Sequence, residues 1–393
     1  MMRRCVSGLS FPGAPSPDLT ESQAEVRSAI AKICSNFPEE YWAEKDKKKE
    51  FPKELHSALA RDGWLGICMP QEYGGSELGL KEAAVMMQTI AESGAAMAGA
   101  SSIHMNIFGL EPVVKFGTKE QKERNLPPLI RGEERACFAV TEPTAGLDTL
   151  KMTTRAKRQP DGNYILSGSK VWISTAQVAE KCLILARTTP LEEVTKPSQG
   201  LSLFYTPLNR EAVTIQEIEK MGRGAVDSNT LFFEEWAVPE TDRLGKEGDG
   251  FKMIMMGMNA ERILIASEAI GVGLAALRRA SQYAKERVVF GREIGKNQGI
   301  QHPLAQCWMK LESARALIQM AARLYDSGAD PNVLGAYANS SKFLAADAAF
   351  EACDRAVLTL GGMGKILIFY IILNNYINTC HVFIYLSLIC IIF

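Results

Sequence analysis

Along this 393-residue chain the spacing of apolar residues changes twice, and that double change restricts the fold more than any other feature. Up to about residue 136 the apolar side chains return at helical spacing: Val26, Ile30, Ile33 and Phe37, then Leu55 and Leu59, then an Ala- and Gly-rich run over 80–116, with Pro127-Pro128 closing the helical part. Asp18 or Thr20 can cap the first of these helices. Between 137 and 245 the runs shorten and become β-branched and aromatic. Residues 163–166, 170–174, 182–186, 201–205 and 230–233 read as strands, with Asp161-Gly162 as a hairpin turn. Helical spacing then resumes in one long helix over 250–283, Met-rich at its start, and in further helices over about 299–328 and 333–360. Helices, then strands, then helices predict an α+β multidomain chain. Its parts are a flexible N-terminus (1–17), an N-terminal helical domain (18–135), a middle β-barrel or sandwich domain (136–248), a C-terminal helical bundle (249–364) and an atypical apolar tail (365–393).

Composition narrows the function. At 47% hydrophobic and 23% charged residues the chain is ordinary for a soluble globular protein, and 44 basic against 45 acidic residues give no electrostatic footprint for nucleic acid. Nine scattered cysteines with no CxxC pair predict a reduced, intracellular protein without a structural metal site. Only four histidines are present, so acid–base chemistry falls to a carboxylate. Arg3, Arg4 and three serines without an acid faintly resemble a transit peptide, but the first 17 residues hold no apolar core of a secretory signal. The tail could span a bilayer by length, although Asn374, Asn375, Asn378 and His381 make insertion costly. We expect it to be a read-through or mis-spliced end, with a membrane anchor as the alternative.

Three stretches could carry chemistry. The first, Cys137 to Asp148, runs from an apolar segment into a turn with Pro, Gly and two hydroxyls, and it reads as a cofactor seat or a plain domain-junction turn. In the second, Trp172-Ile173-Ser174 ends a strand with an aromatic plane beside a hydroxyl, as a flat hydrogen-bonding ring requires and as core packing would also use. The third is Glu261, on a stripe with Ile254, Met258, Ile265 and Val272. Burial there would raise its pKa toward that of a base able to take a proton from carbon, and an ion pair with Arg262 or another cation is the competing reading. Gly271-Val272-Gly273 with Ala276 matches the letters of a dinucleotide-binding motif but lies inside the long helix, where close helix packing explains it.

Four segments, Phe138 to Asp148 (FAVTEPTAGLD), Lys170 to Ser174 (KVWIS), Glu286 to Arg292 (ERVVFGR) and Leu360 to Gly364 (LGGMG), together resemble the acyl-CoA dehydrogenase family in order and spacing. The resemblance covers roughly 20–364. It implies one FAD per subunit in a homodimer or homotetramer, acyl-CoA as substrate and an electron-transfer flavoprotein as acceptor, in the mitochondrial matrix or peroxisome. Carried over, Phe138, Val140, Thr141, Gly146 and Leu147 line the flavin, Leu147 also meeting the acyl thioester, and Trp172, Ile173 and Ser174 contact the flavin ring. Arg287, Gln298, Leu358, Gly361 and Gly362 reach the FAD of a neighbouring subunit. Asn259 and Arg262 match the acyl-CoA contact segment. Glu261 coincides with the helix position that carries the catalytic base in one branch of the family. Leu147 and Leu358 stand where the family commonly has Ser and Gln, and the tail replaces its last bundle helices, which leaves the bundle truncated. An acyl-CoA oxidase, or a truncated non-catalytic or tail-anchored homologue, is the alternative.

Overall fold

The computed structural model describes residues 19–365. The expectations for 1–17, for Asp18 as a cap, and for the tail after Lys365 lie outside the described residues. Within them the α+β architecture is present: helices, a mixed sheet, then helices.

The N-terminal helices are α1 (Glu21–Cys34), α2 (Glu39–Lys48), α3 (Lys53–Arg61), α4 (Leu80–Ile90), α5 (Ala96–Ser101), α6 (Glu111–Phe116) and α7 (Lys119–Ile130). Helix α1 begins at Thr20, whose hydroxyl accepts from the Gln23 N–H while the Gln23 side chain accepts from the Thr20 N–H, so two end donors are satisfied reciprocally. Its buried face is Val26, Ile30 and Ile33. The run over 80–116 is not one continuous helical stretch. Wide five-residue turns at Ala91–Ala95 and Met105–Gly109 interrupt it, and Gly94 (φ +108°) and Ala96 (φ +55°) carry the break. The two prolines also differ from expectation: α7 runs through Pro127 and Pro128. They lose their donors but keep their acceptors, since the Arg131 and Glu133 N–H groups bond to their carbonyls.

The strands are β1 (Ala136–Ala139), β2 (Arg155–Arg158), β3 (Tyr164–Ser174), β4 (Lys181–Arg187), β5 (Leu201–Pro207), β6 (Val213–Glu217), β7 (Ser228–Val238) and β8 (Arg243–Leu244). They form one sheet in the order β6-β7-β3-β2-β4-β5-β8, with β1 parallel to β4. After it come α8 (Gly250–Glu286), a hairpin of β9 (Val288–Val289) and β10 (Arg292–Glu293), α9 (Gln298–Asp326) and α10 (Pro331–Leu360).

Compactness divides the chain into two interleaved units: one of Lys48–Gly79 and Ser101–Glu261, the other of the remaining helical segments. In the first, β4 is buried on both faces, as a continuous apolar run requires. Cys182, Ile184 and Ala186 enter a core with Tyr164, Phe204 and Trp236, while Leu183 and Leu185 join Leu110, Leu126, Leu129 and Ile254. Tyr164 and Phe204 meet with ring centroids 5.0 Å apart although β2 and β4 separate their strands, so the sheet curls over that core.

In the helical unit, α8 makes its closest approaches at the two glycines noted in the sequence. A methyl on Gly271 would lie 2.3 Å from the Gln88 carbonyl oxygen of α4, and one on Gly273 would lie 2.6 Å from Leu311 of α9. Close packing is therefore their role. Gly271→Ala is expected to lower stability by about 1–3 kcal/mol through overpacking. Gly335→Ala, on α10 with open space around it, is expected to raise it by about 0.5–1 kcal/mol. Denaturant midpoints of the two variants check both signs.

Candidate active site

Strand β1 delivers Phe138 and Val140 into a tight turn in which Glu142 and Ala145 exchange N–H···O bonds of 3.2 Å. The Glu142 side chain does not follow the turn outward. Its carboxylate accepts from the Thr153 N–H (2.6 Å), the Thr153 hydroxyl (2.9 Å), the Thr154 N–H (2.9 Å) and Lys170 Nζ (3.0 Å). Lys170, fully buried on β3, also donates to the Val140 carbonyl at 3.0 Å. Burial opposes ionisation of Glu142, but Lys170 and the threonine donors prevail and hold it at about 2. Burial lowers Lys170 to about 8 against the attraction of Glu142, so the pair is charged at neutral pH. With these groups turned inward, Gly146 and Leu147 face solvent, Leu147 at 49% exposure.

Along β3 the buried positions are 164, 166 and 170, and strict alternation would bury Trp172 next. A bulge between Lys170 and Ile173 shifts the register, Trp172 takes φ +63°, and its indole emerges at 62% exposure while Ile173 turns inward. Thr175 is also left-handed at φ +63°, a conformation costly for a β-branched residue and held here by its hydroxyl bond to the Ala136 carbonyl at 3.0 Å. The Val171 N–H donates to the Thr141 carbonyl at 2.9 Å, joining this rim to the loop.

The rim rests on residues that the sequence reading did not single out. Asn229, fully buried, donates to the Ile173 carbonyl (2.9 Å) and accepts from the Gln177 amide (2.9 Å), and the Asp227 carboxylate accepts from the Gln177 N–H (3.1 Å). Arg223 Nη2 donates to the Ser174 hydroxyl at 3.1 Å. The available signal was the polar run Asp227-Ser228-Asn229 at the head of an apolar strand, where a buried Asn needs partners.

Helix α8 brings its first turns to the same core: Phe251, Met253, Ile254 and Met258 pack in the cluster that holds Phe138, Val140 and Ala145. Asn259, Glu261 and Arg262 follow, all half-buried. Met255 and Met256 are exposed, whereas Met253 is buried. Phe138 to Leu147, Trp172 to Ser174, Asn259 and Glu261 thus belong to one unit, whereas Arg262, Arg287, Gln298, Leu358, Gly361 and Gly362 belong to the other. Arg287 and Gln298 flank the exposed β9–β10 hairpin, and Leu358 (59% exposed) and Gly361 (φ +58°) end α10. Among the described residues no group of three or more His, Cys, Asp or Glu could hold a metal ion.

The donor set suits a flat ring with a hydrogen-bonding edge. An indole plane stands clear of the core beside a hydroxyl, and a methyl added at Gly146 would meet only Thr141 Cγ2, at 3.8 Å. The Glu142–Lys170 pair sets how long this loop survives acid. Glu142 has its pKa depressed on folding, so its contribution is present above the ordinary carboxylate range and is lost as pH falls from about 4.5 toward 2. That loss is of order 2–3 kcal/mol. Glu142→Gln, which strands the Lys170 charge, is expected to cost about 3–5 kcal/mol at neutral pH and to flatten that acid limb, as read by denaturant titration between pH 2 and 7.

Comparison with known proteins agrees with this layout. Family models described as the acyl-CoA dehydrogenase N-terminal, middle and C-terminal domains match residues 20–133, 137–236 and 248–371. The acyl-CoA dehydrogenase FadE12 of Mycobacterium tuberculosis is 36% identical over 349 residues, covering 88% of this chain and 87% of that protein. The mitochondrial short-chain specific acyl-CoA dehydrogenase of Sus scrofa is 33% identical over 347 residues, covering 87% and 82%. Butyryl-CoA dehydrogenase from Megasphaera elsdenii superposes with a TM-score of 0.87 at 28% identity, covering 95% of this chain and 97% of that one. Motifs, fold and relatives agree: the chain belongs to the acyl-CoA dehydrogenase family, whose members are FAD-dependent oxidoreductases.

Proposed function

We propose that the chain catalyses α,β-dehydrogenation of an acyl-CoA thioester to the trans-2-enoyl-CoA, with 18–135, 136–248 and 249–364 as its three domains. The observation that carries the reading is the bulge that sets Trp172 outward at 62% exposure beside Ser174, on a rim tied to the 141–147 loop. An indole held in water at the expense of backbone strain is a surface prepared for a planar partner. Phe138, Val140, Thr141, Gly146 and Leu147 line one side of the ring, and Trp172, Ile173 and Ser174 meet its edge and face.

FAD, when bound, supplies the hydride acceptor for the substrate β-carbon. Glu261 takes the α-proton. Its place on α8, one turn beyond Met258 and half-buried, gives the carboxylate a partly desolvated setting suited to a carbon acid. Asn259 and Arg262, on the same stretch of helix, contact the acyl-CoA. Hydrogen bonds to the thioester carbonyl stabilise the enolate-like charge, each by about 3–4 kcal/mol as in oxyanion sites. Arg287, Gln298, Leu358, Gly361 and Gly362, all on the helical unit's surface, serve the FAD of a second subunit in a homodimer or homotetramer. An electron-transfer flavoprotein takes the electrons, in the mitochondrial matrix or peroxisome. Among the described residues no helix is long and apolar enough to cross a membrane.

The purified full chain is expected to be yellow and to reduce a dye acceptor with an acyl-CoA. Glu261→Gln is expected to keep the flavin and to lose about 10²–10⁴-fold in turnover. A colourless protein, or an unchanged Glu261→Gln rate, sinks the proposal, and stoichiometric peroxide without an added acceptor would move it to an acyl-CoA oxidase.

A further inference from the structure

Arg223 sits in the turn between β6 and β7 and takes a left-handed backbone, φ +53°, next to Gly222 at φ +80°. Its guanidinium reaches three serines from separate parts of one unit. Nη2 donates to Ser174 Oγ and Ser228 Oγ, each at 3.1 Å, and Nη1 donates to Ser101 Oγ at 3.1 Å. Ser101 and Ser228 are buried, at 0% and 4% exposure, and act as fixed anchors, whereas Ser174 is half-buried at the rim.

A guanidinium has five N–H donors and no acceptor. Each of these serine oxygens therefore accepts from Arg223 and must turn its own proton elsewhere. For Ser101 and Ser228 that changes only an interior contact. For Ser174 it converts a freely rotating hydroxyl, able to donate or accept, into a directed donor whose O–H is further polarised by the adjacent cation. The left-handed strain at Arg223 is of the kind that persists only where surroundings over-determine it, and three bonds to three segments do so.

We propose that Arg223 is a positioning residue that locks the Ser174 hydroxyl as a hydrogen-bond donor toward an acceptor atom on the ring edge of the bound cofactor. This rests on the reading of the site as a flavin seat, and it adds a residue that touches neither substrate nor ring. Arg223 fixes the rotamer and the proton direction at Ser174, and through the Ser101 bond it also ties the rim to the end of α5.

The test uses the full chain with Arg223→Gln, Ser174→Ala and the double variant, and Ser228→Ala as a variant that loosens the guanidinium while keeping its charge. In the FAD-free protein, amide hydrogen exchange over 172–178 is expected to speed at least tenfold in Arg223→Gln and to rise less in Ser228→Ala, with β4 and β5 unchanged. In the FAD-bound protein, Arg223→Gln is expected to shift the visible flavin band and to slow single-turnover flavin reduction at saturating acyl-CoA by tenfold or more, with KM held. In the Ser174→Ala background the same change is expected to add less than twofold. Equal effects in both backgrounds would show that the cation acts without Ser174, and unchanged exchange over 172–178 would show that it positions nothing; either overturns the inference. If Arg223→Gln does not fold, Ser228→Ala decides by the same two readouts. A wild-type chain that binds no flavin would instead remove the underlying reading, and the exchange result would still decide whether Arg223 holds the rim.

Discussion

The site depends on one ion pair inside the sheet unit, Glu142 with Lys170. Taking both charges out of water is expensive, and an apolar pair of similar volume would give at least comparable stability. What the pair supplies is direction. Lys170 binds the Val140 carbonyl and Glu142 together, and Glu142 binds Thr153 and Thr154, so the end of β1, the turn and the approach to β2 are fixed to one point of β3. Satisfying Lys170 inside also sets the problem that the bulge solves. With Lys170 inward, a regular strand would carry Trp172 inward too, and the extra residue at the bulge reverses that.

Helices and strands were legible where a single periodicity acts over many residues. The run Cys182 to Ala186 reads as a strand, and the two cores that take its alternate residues explain why it is apolar throughout. Gly271 and Gly273 read as packing contacts because a helix interior leaves them no other use. The wide turns at 91–95 and 105–109 were not legible. Ala is a strong helix former, so the local spacing does not mark the break that Gly94 and Ala96 carry. Strands β2 and β6 were also missed: Arg155 to Arg158 exposes three of its four residues, so its pairing with β3, and not its composition, makes it a strand. Pro127-Pro128 misled because a proline removes only its own donor: α7 continues to Ile130, and the two proline carbonyls still accept from the Arg131 and Glu133 N–H groups.

The candidate site divides in the same way. Residues that would touch a ligand lie in short local motifs, and the 138–147 and 172–174 stretches were readable from turn residues and an aromatic beside a hydroxyl. Residues that hold those motifs in place lie about fifty positions away. Asn229 reaches Ile173, Asp227 reaches Gln177 and Arg223 reaches Ser174. Nothing periodic marks them, because each serves one backbone or hydroxyl group. Their common trait is visible only in three dimensions: polar side chains at the head of an apolar strand that find partners on the strand edge next to them.

The assignment of the base to Glu261 gains from what the histidines do. His56 is buried beside the Phe51 ring, and burial together with the nearby Arg135 charge lowers its pKa to about 4, so it stays neutral over the working range and cannot act as a cation or a base tuned near pH 7. His104 is buried against Phe108, and His302 is exposed on α9 in the other unit. His56 is therefore a poor candidate for the proposed base, and that role is proposed for a carboxylate. Glu142 is disqualified by its four donors, which hold it ionised down to about 2 and make it far too weak a base for a carbon acid. The proposed base, Glu261, is half-buried on the helix stripe that also carries Ile254 and Met258, which pack in the core beneath the loop. Under the proposed function two carboxylates would divide the work by environment: Glu142, held by Lys170 and the threonine donors, fixes the loop, and Glu261, half-buried on α8, is the proposed base.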